Sequence, residues 1–428
     1  MKKVKGLRWW VSALIATATV INYIDRTSLA VMWPDISREF SLTKDDYATI
    51  VSAFMIAYAL GQALSGKFFD WIGTRIGFLT SIVVWSVACA LHGVARGILS
   101  FSMFRAILGV SEAGNWPGAT KANAEWFPNN ERALAQGIFG AGASLGAVIS
   151  APAIAFLYLL LGWKATFVVI GLLGFVWIIP WLIIYKTTPD KHPWITEEER
   201  AYILAGPTLT VPVSSERTMT WSEALSRKQS WSVIVSRFFL DPIWWLFVNW
   251  LPIYLVESFG FDVKQIGMFA WVPYLGAAAG SIAGGWYSGY KIKQGWSVDK
   301  ARKRAIVIGG MITSPAFVLA AFASTPITAV LVMAAVLCGF QIMINNIQTL
   351  PSDFYSGKSV GTVAGIGGMS AVFGVLVFST WLIPVLSRIS YAPVFFMGAI
   401  LVPLGVFSIY YFGGTIQRVD LSTAQHQK

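Results

Sequence analysis

The chain has 428 residues, 56% of them hydrophobic and 12% charged, with a mean hydropathy of +0.62. A soluble globular protein carries roughly 25% charged residues, so this composition excludes an ordinary water-soluble domain, and solid apolar blocks are not the ~10-residue alternating strands of a membrane β-barrel. The net charge of +11 argues against a nucleic-acid partner once its distribution is seen: the cations cluster in short segments between apolar runs, KKVKGLR at the start and KIKQGWSVDKARKR at 291–304, while FASTPIT at 322–328 has none.

Apolar runs long enough to cross ~30 Å of hydrocarbon as helices recur along the chain. They predict spans at 9–33, 45–71, 73–95, 99–124, 131–159, 164–186, 231–257, 265–290, 303–323, 327–353, 360–387 and 390–413. The expectation is an all-α polytopic membrane protein of twelve helices in two pseudo-symmetric six-helix bundles. These are 1–185 and 229–428, joined by a polar cytoplasmic linker at 186–228. The basic loops place both termini in the cytoplasm by the positive-inside rule, and the first run is too long and too polar inside to be a cleaved signal. In the linker, Thr196 and Glu199 have the spacing of a capping box. Cys89 and Cys338 fall in spans of different halves and suggest neither a disulfide nor a metal site; no metal or cofactor is expected beyond protons as coupling ion.

VINYIDRTSLA, residues 20–30 of the first span, carries Asn22, Asp25 and Arg26 well inside an apolar run. Isolated ionisable groups there cost several kcal/mol unless paired or facing a wet cavity. The fourth span adds Arg105 and Glu112, two turns apart on one face, with Asn115 extending that face. Two acids and two bases form a locally neutral set, in which a carboxylate can take a proton without stranding much charge. Asp25 and Glu112 are therefore the proton-coupling candidates, and Arg26 or Arg105 the contact for an anion. A buried ion-pair network that only locks two helices together is the competing account.

The second half is rich in amides instead: Asn249 in span 7, then Gln341, Asn345, Asn346 and Gln348 in span 10. Span 11 adds Thr362 and Ser370 among glycines in GTVAGIGGMSAVFG. Amides both donate and accept, which suits sugar hydroxyls, although each could equally serve helix packing. Arg237 and Asp241, four apart beside Pro242, are expected to form an interfacial salt bridge. Tyr58 places a polar tip in the second span. Six spans, a break and six more fit a transporter with its site between the halves.

GKFFDWIGTRIG at 66–77 resembles the loop 2–3 signature of the major facilitator superfamily, G-x-x-x-D-x-x-G-x-R, with Gly66, Asp70, Gly73 and Arg75 matching. A weaker echo, GGWYSGYKIKQGW at 284–296, lacks the Asp. RAILGVSEAGNWPGATKANAEWFPNNERALAQGIF at 105–139 and NYIDR at 22–26 resemble the anion:cation symporter branch of that family. EAGNWPGATKANAEWFP, FFLDPIWWLFVNWLP (238–252) and GWSVDKARK (295–303) are most similar to hexuronate transporters.

This resemblance implies proton symport of galacturonate or glucuronate across a bacterial inner membrane by a monomer. It implies gating by Asp70 and Arg75, proton coupling by Asp25 and Glu112, and sugar-acid contacts from Arg26, Arg105 and Tyr58. Asn22, Asn115, Asn249, Gln341, Asn345, Asn346 and Ser370 complete the candidate substrate site. The galactonate carriers of this branch have a substrate-binding Gln in helix 5 and an Asn in helix 11. Here GIFGAGASLGAVIS (137–150) offers only small residues and Ser144, and GIGGMSAVFG has no Asn. The antiporter element G-P-x-x-G-G is also absent from this helix, despite Pro152. Galactonate, glucarate or galactarate remain alternative substrates. An enzyme is disfavoured, since His92, His192 and His426 assemble no catalytic set, and a transporter-like sensor would need a longer signalling extension than QRVDLSTAQHQK.

Overall fold

The computed structural model describes residues 3–205, 218–261, 265 and 268–419. Part of the expected linker (206–217), the start of the expected eighth span and the last nine residues of the tail lie outside the described ones. The described residues are almost wholly helical. Hydrocarbon leaves backbone N–H and C=O groups no partner but each other, so every crossing must close its own hydrogen bonds.

In chain order the long helices are α1 (Leu7–Phe40), α2 (Lys44–Ile72), α3 (Thr74–Leu91), α4 (Ile98–Glu112), α5 (Asn115–Trp126) and α6 (Asn129–Ile184). Two short helices, α7 (Glu197–Leu204) and α8 (Trp221–Ser226), precede α9 (Lys228–Phe259). Then follow α10 (Val272–Lys293), α11 (Val298–Ala320), α12 (Pro326–Phe354), α13 (Val360–Gly374), α14 (Ile383–Ser387) and α15 (Ala392–Gly413). Among the described residues nine helical stretches are long and apolar enough to cross a membrane, so whole helices do not give the expected count of twelve. Three expected spans make the difference: α10 (Val272–Lys293) is not among the nine, two spans count as one and another is divided. Two expected spans merge in α6, which turns at Gly162 (φ 74°), a left-handed geometry that favours glycine. Another span is divided into α4 and α5 at Ala113–Gly114. A π-helical stretch, Val375–Leu382, joins α13 to α14 immediately before Pro384, whose missing N–H disturbs the helical ladder.

The helices bury two apolar clusters. One is built from α1–α6 around Phe69, Phe78, Trp85, Phe101 and Trp181. The other is built from α9–α15 around Phe247, Phe317, Phe340, Phe354 and Phe395. Large apolar side chains such as Leu99, Leu159, Met311 and Phe407 stand exposed on the outside, as lipid requires and water would penalise.

The two groups of helices touch closely at one end. A Cβ on Gly66 of α2 would lie 2.1 Å from the Gly361 carbonyl oxygen of α13, and one on Gly285 of α10 would lie 2.2 Å from the Ala133 oxygen of α6. Side chains cross the same seam: the Lys67 ammonium donates to Met219 O at 2.7 Å, Arg132 Nη1 to Ser352 O at 3.1 Å and Arg302 Nη2 to Asn129 O at 2.8 Å. α7 is fastened to the N-terminal helices through Glu199, whose carboxylate accepts from the N–H groups of Gly6, Leu7 and Arg8 at 2.8–3.2 Å. Thr196 does accept from Glu199 N, but the Glu199 side chain caps α1 instead of returning to Thr196. The expected capping box is therefore only half formed.

The glycine contacts make a direct prediction. Gly66→Ala cannot be accommodated without parting α2 from α13, because backbone rather than a mobile side chain stands in the way. Spin labels at Trp71 and Lys358 should report a longer distance in that variant than in the wild type, and an unchanged distance distribution would show that the seam does not need this glycine.

Candidate functional site

Ion pairs on the two sides of the molecule meet around a central cavity of about 540 Å³ empty volume, counted to its open edge. Arg26 of α1 and Tyr58 of α2 line it together with Tyr23, Gln62 and Trp116. Facing them are Arg237, Asp241, Trp244 and Trp245 of α9, and Gln341 and Gln348 of α12.

Arg26 reaches Glu112 of α4 with Nε at 3.2 Å and Nη2 at 3.1 Å, both on Oε2. Its Nη2 also donates to Asn22 Oδ1 at 3.3 Å. The guanidinium stands 4.7 Å from the Tyr58 ring centroid, with Phe54, Tyr23 and Trp245 at 5.3, 5.5 and 5.6 Å. Aromatic faces attract a cation without neutralising it, so this cage holds Arg26 in place and leaves its charge available. Glu112 lies fully buried behind it, and its second oxygen has no hydrogen-bond partner among the described residues.

Asp25 points away from the cavity. It is buried, and neither carboxylate oxygen has a hydrogen-bond partner among the described residues, with the Cys89 thiol beside it. Arg105 is buried as well. It donates through Nη1 to the carbonyl of Arg26 at 3.2 Å and leaves Nε and Nη2 unpartnered among the described residues. The expected pairing along the fourth span therefore gives way to one across helices: Glu112 goes to Arg26, while Arg105 braces the α1 backbone. Asn115 follows the α4–α5 break and donates to Thr19 Oγ1 at 3.0 Å, so its neighbour Trp116 reaches the cavity instead.

The second-half candidates separate into two groups. Gln341 lines the cavity. Asn345 donates to Ser281 Oγ at 2.6 Å and to Gln341 O at 2.9 Å, and Asn346 donates to Gly284 O at 3.2 Å and Ile342 O at 2.9 Å. Both tie α12 to α10. Ser370 donates to Ile234 O at 2.9 Å, tying α13 to α9. Asn249 is exposed on α9 and is not among the residues that line the cavity. Sequence reasoning passed over several residues that the cavity brings together. Gln62 sits in an apolar stretch of α2, and the Trp244–Trp245 pair has no signal beyond size. Gln136, one residue before the small-residue run, donates to Gln348 Oε1 at 2.8 Å, so the start of α6 does supply an amide near the site. Arg237 and Asp241, expected at an interface, line the cavity.

At the closely packed end Asp70 gathers four donors: Lys121 Nζ at 2.8 Å, Gly361 N at 3.1 Å, and Thr362 N and Oγ1 at 2.6 Å each. Its carboxylate thus caps the N-terminus of α13 from across the seam, where the helix dipole favours an anion. Arg75 is exposed, and among the described residues its side chain donates to the Leu182 carbonyl alone, at 3.4 Å. The cation paired with Asp70 is Lys121.

Comparison with known proteins places this arrangement. The Major Facilitator Superfamily model matches residues 15–378. The chain is a member of the Major Facilitator Superfamily. It is accordingly a multi-pass membrane transporter and not an enzyme. It is 32% identical over 414 residues to the hexuronate transporter of Escherichia coli strain K12, covering 96% of this chain and 95% of that one. It is 31% identical over 336 residues to the galacturonate transporter of Dickeya chrysanthemi, covering 76% of this chain and 97% of that one. The fold superposes on the proton:xylose symporter XylE bound to 6-bromo-6-deoxy-D-glucose with a TM-score of 0.72, at 13% identity and 96% coverage of both chains.

The division of the amides can be checked by transport. Gln341→Ala should weaken the apparent affinity for the transported solute by about tenfold, the loss of roughly one hydrogen bond to a bound ligand. Asn249→Ala should leave it within about twofold, as surface changes do. Equal effects of the two would place the solute elsewhere.

Proposed function

We propose that the protein is a proton-coupled symporter that brings a hexuronate, galacturonate or glucuronate, into a bacterial cell through the inner membrane. The observation that carries this reading is the Arg26–Glu112 pair on the cavity wall, 3.1 Å long and caged by aromatic rings. When Glu112 takes a proton, Arg26 loses its internal anion and can bind the substrate carboxylate in its place. One negative charge replaces another beside the same cation, so the buried site stays balanced at each step, which low-dielectric surroundings demand. The names of the relatives, a hexuronate and a galacturonate transporter, agree with an anionic sugar as cargo.

The remaining lining suits a hydroxylated ring. Gln62, Gln341 and Gln348 offer both donors and acceptors, and Trp116, Trp244 and Trp245 offer flat apolar faces. Asp25, buried with the Cys89 thiol beside it and in no ion pair among the described residues, is suited to carry a proton through the cycle as a second coupling group. Arg105 braces the α1 backbone beside it.

Transport then proceeds by alternating access between two six-helix units, 1–185 and 229–428. With the basic segments and the linker in the cytoplasm, the seam held by Asp70 closes the cytoplasmic end, and Asp70 acts as its gate through Lys121 and the α13 N-terminus.

Labelled galacturonate should accumulate in proteoliposomes under an inward proton gradient and only equilibrate without one. Absence of uptake under both conditions, in protein that purifies folded, would reject the assignment. Asp25→Asn should abolish gradient-driven accumulation while counterflow exchange persists, and undiminished accumulation would remove Asp25 from the coupling path. Arg26→Ala should weaken substrate binding by at least about tenfold in calorimetry, as loss of a charge-assisted contact does. Equal affinity would leave Arg26 with a packing role alone.

A further inference from the structure

Two ion pairs face the cavity, and the transport cycle proposed above uses one of them. The second is Arg237–Asp241 on α9, a bidentate pair with Nε on Oδ2 at 3.1 Å and Nη2 on Oδ1 at 3.0 Å. The remaining Arg237 nitrogen, Nη1, lies 3.5 Å from the Ala364 carbonyl. A pair that serves packing alone looks different here: Arg302 and Asp353 are enclosed, at 0% and 1% exposure, and Arg302 is further bonded to Ser288 and Asn129. Both members of the α9 pair instead form cavity wall.

The two cavity pairs differ in what they expose: only the second brings its acidic member to the lining. In the first, Arg26 is the lining group and Glu112 is hidden behind it. In the second, Arg237 and Asp241 both line the cavity, with the guanidinium committed to the carboxylate by two bonds. One wall therefore offers a cation for a carboxylate. The other offers a carboxylate that can accept hydrogen bonds from hydroxyls and that repels a second anion in a setting where such repulsion is poorly screened.

We infer that Asp241 sets the charge number of the substrate: it admits acids with one carboxylate and hydroxyls at the far end, and rejects those with a carboxylate at both ends. This rests on the sugar-acid reading above and assigns a specificity-determining role within that same site. Removing the charge of Asp241 while keeping its volume converts the pair into a free guanidinium, whose two N–H groups match a carboxylate bidentately.

The test compares galacturonate with galactarate, its counterpart with a carboxylate at each end, by calorimetry on the purified full-length protein and by competition for labelled galacturonate uptake. Wild type should bind galactarate at least about thirtyfold more weakly than galacturonate, and Asp241→Asn should narrow that ratio by at least about tenfold, the gain expected from a newly available charge-assisted contact. Asp241→Glu should keep the wild-type rejection, and Asp241→Ser provides the same comparison as Asp241→Asn should the amide variant fail to purify as a monodisperse protein. Wild-type protein that binds the two acids equally, or neutral variants with an unchanged ratio, would overturn the inference while leaving the galacturonate assignment standing. Wild-type protein that binds neither acid would overturn both.

Discussion

A charge inside a membrane has no water to turn to, and the arrangement of this molecule follows from where its charges found partners. Arg26 sits midway along α1, where an unpaired guanidinium would cost several kcal/mol. Its solution joins three helices: the carboxylate comes from α4, a ring face from α2 and another from Trp245 of α9. Breaking such a buried pair by removing one partner typically costs about 3–5 kcal/mol, whereas exchanging one anion for another costs far less. That difference separates a lock from a binding site. On the reading proposed above, the same pair holds the helices together when the cavity is empty and gives way when a carboxylate arrives.

The closely packed end solves its charge problem in the opposite manner. Asp70 receives four donors, one of them an ammonium and two of them backbone N–H groups at a helix start. Nothing in that shell is left for a ligand. Arg302 and Asp353 pair in the other group of helices, where Arg302 also bonds Ser288 and the Asn129 carbonyl, while Asp353 Oδ1 has no partner among the described residues. Both sets reach across the seam, and both lie where glycines let backbones approach within contact. Satisfied charges mark the places where helices hold each other. Behind the central cavity, Glu112 Oε1 and Asn22 Nδ2 remain unpartnered among the described residues.

This distinction explains which residues could be found from sequence. Asp25, Arg26, Arg105 and Glu112 stand out because ionisable groups in apolar runs are expensive wherever they point, so their presence is informative without coordinates. Amides are cheaper, and they give no such warning. Asn345 and Asn346 look like ligands in the sequence, yet they satisfy carbonyls and a serine on α10. Asn249 was unreadable for another reason: α9 is apolar on every side, so no periodic stripe says which face is lipid and which is cavity. The same lack of a stripe hid the lining role of Arg237 and Asp241, since a pair four residues apart has one spacing whether it closes an interface or borders a cavity. Among the described residues twelve runs resolved into nine whole stretches because two runs count as one across the turn at Gly162, one is divided at Ala113–Gly114 and α10 is not among the nine.

The cavity walls together define what kind of molecule can be held. A cation backed by a removable anion faces a carboxylate backed by a committed cation, with amides and indole rings between them. An acid with its charge at one end and hydroxyls at the other matches that polarity from wall to wall. A neutral sugar leaves Arg26 with no reason to part from Glu112, and so gives protonation nothing to couple to. A doubly charged acid meets Asp241. On the reading proposed above, coupling and selectivity come from the same rule, applied once on each side of the cavity: a buried charge changes partner only when the exchange leaves the total unchanged.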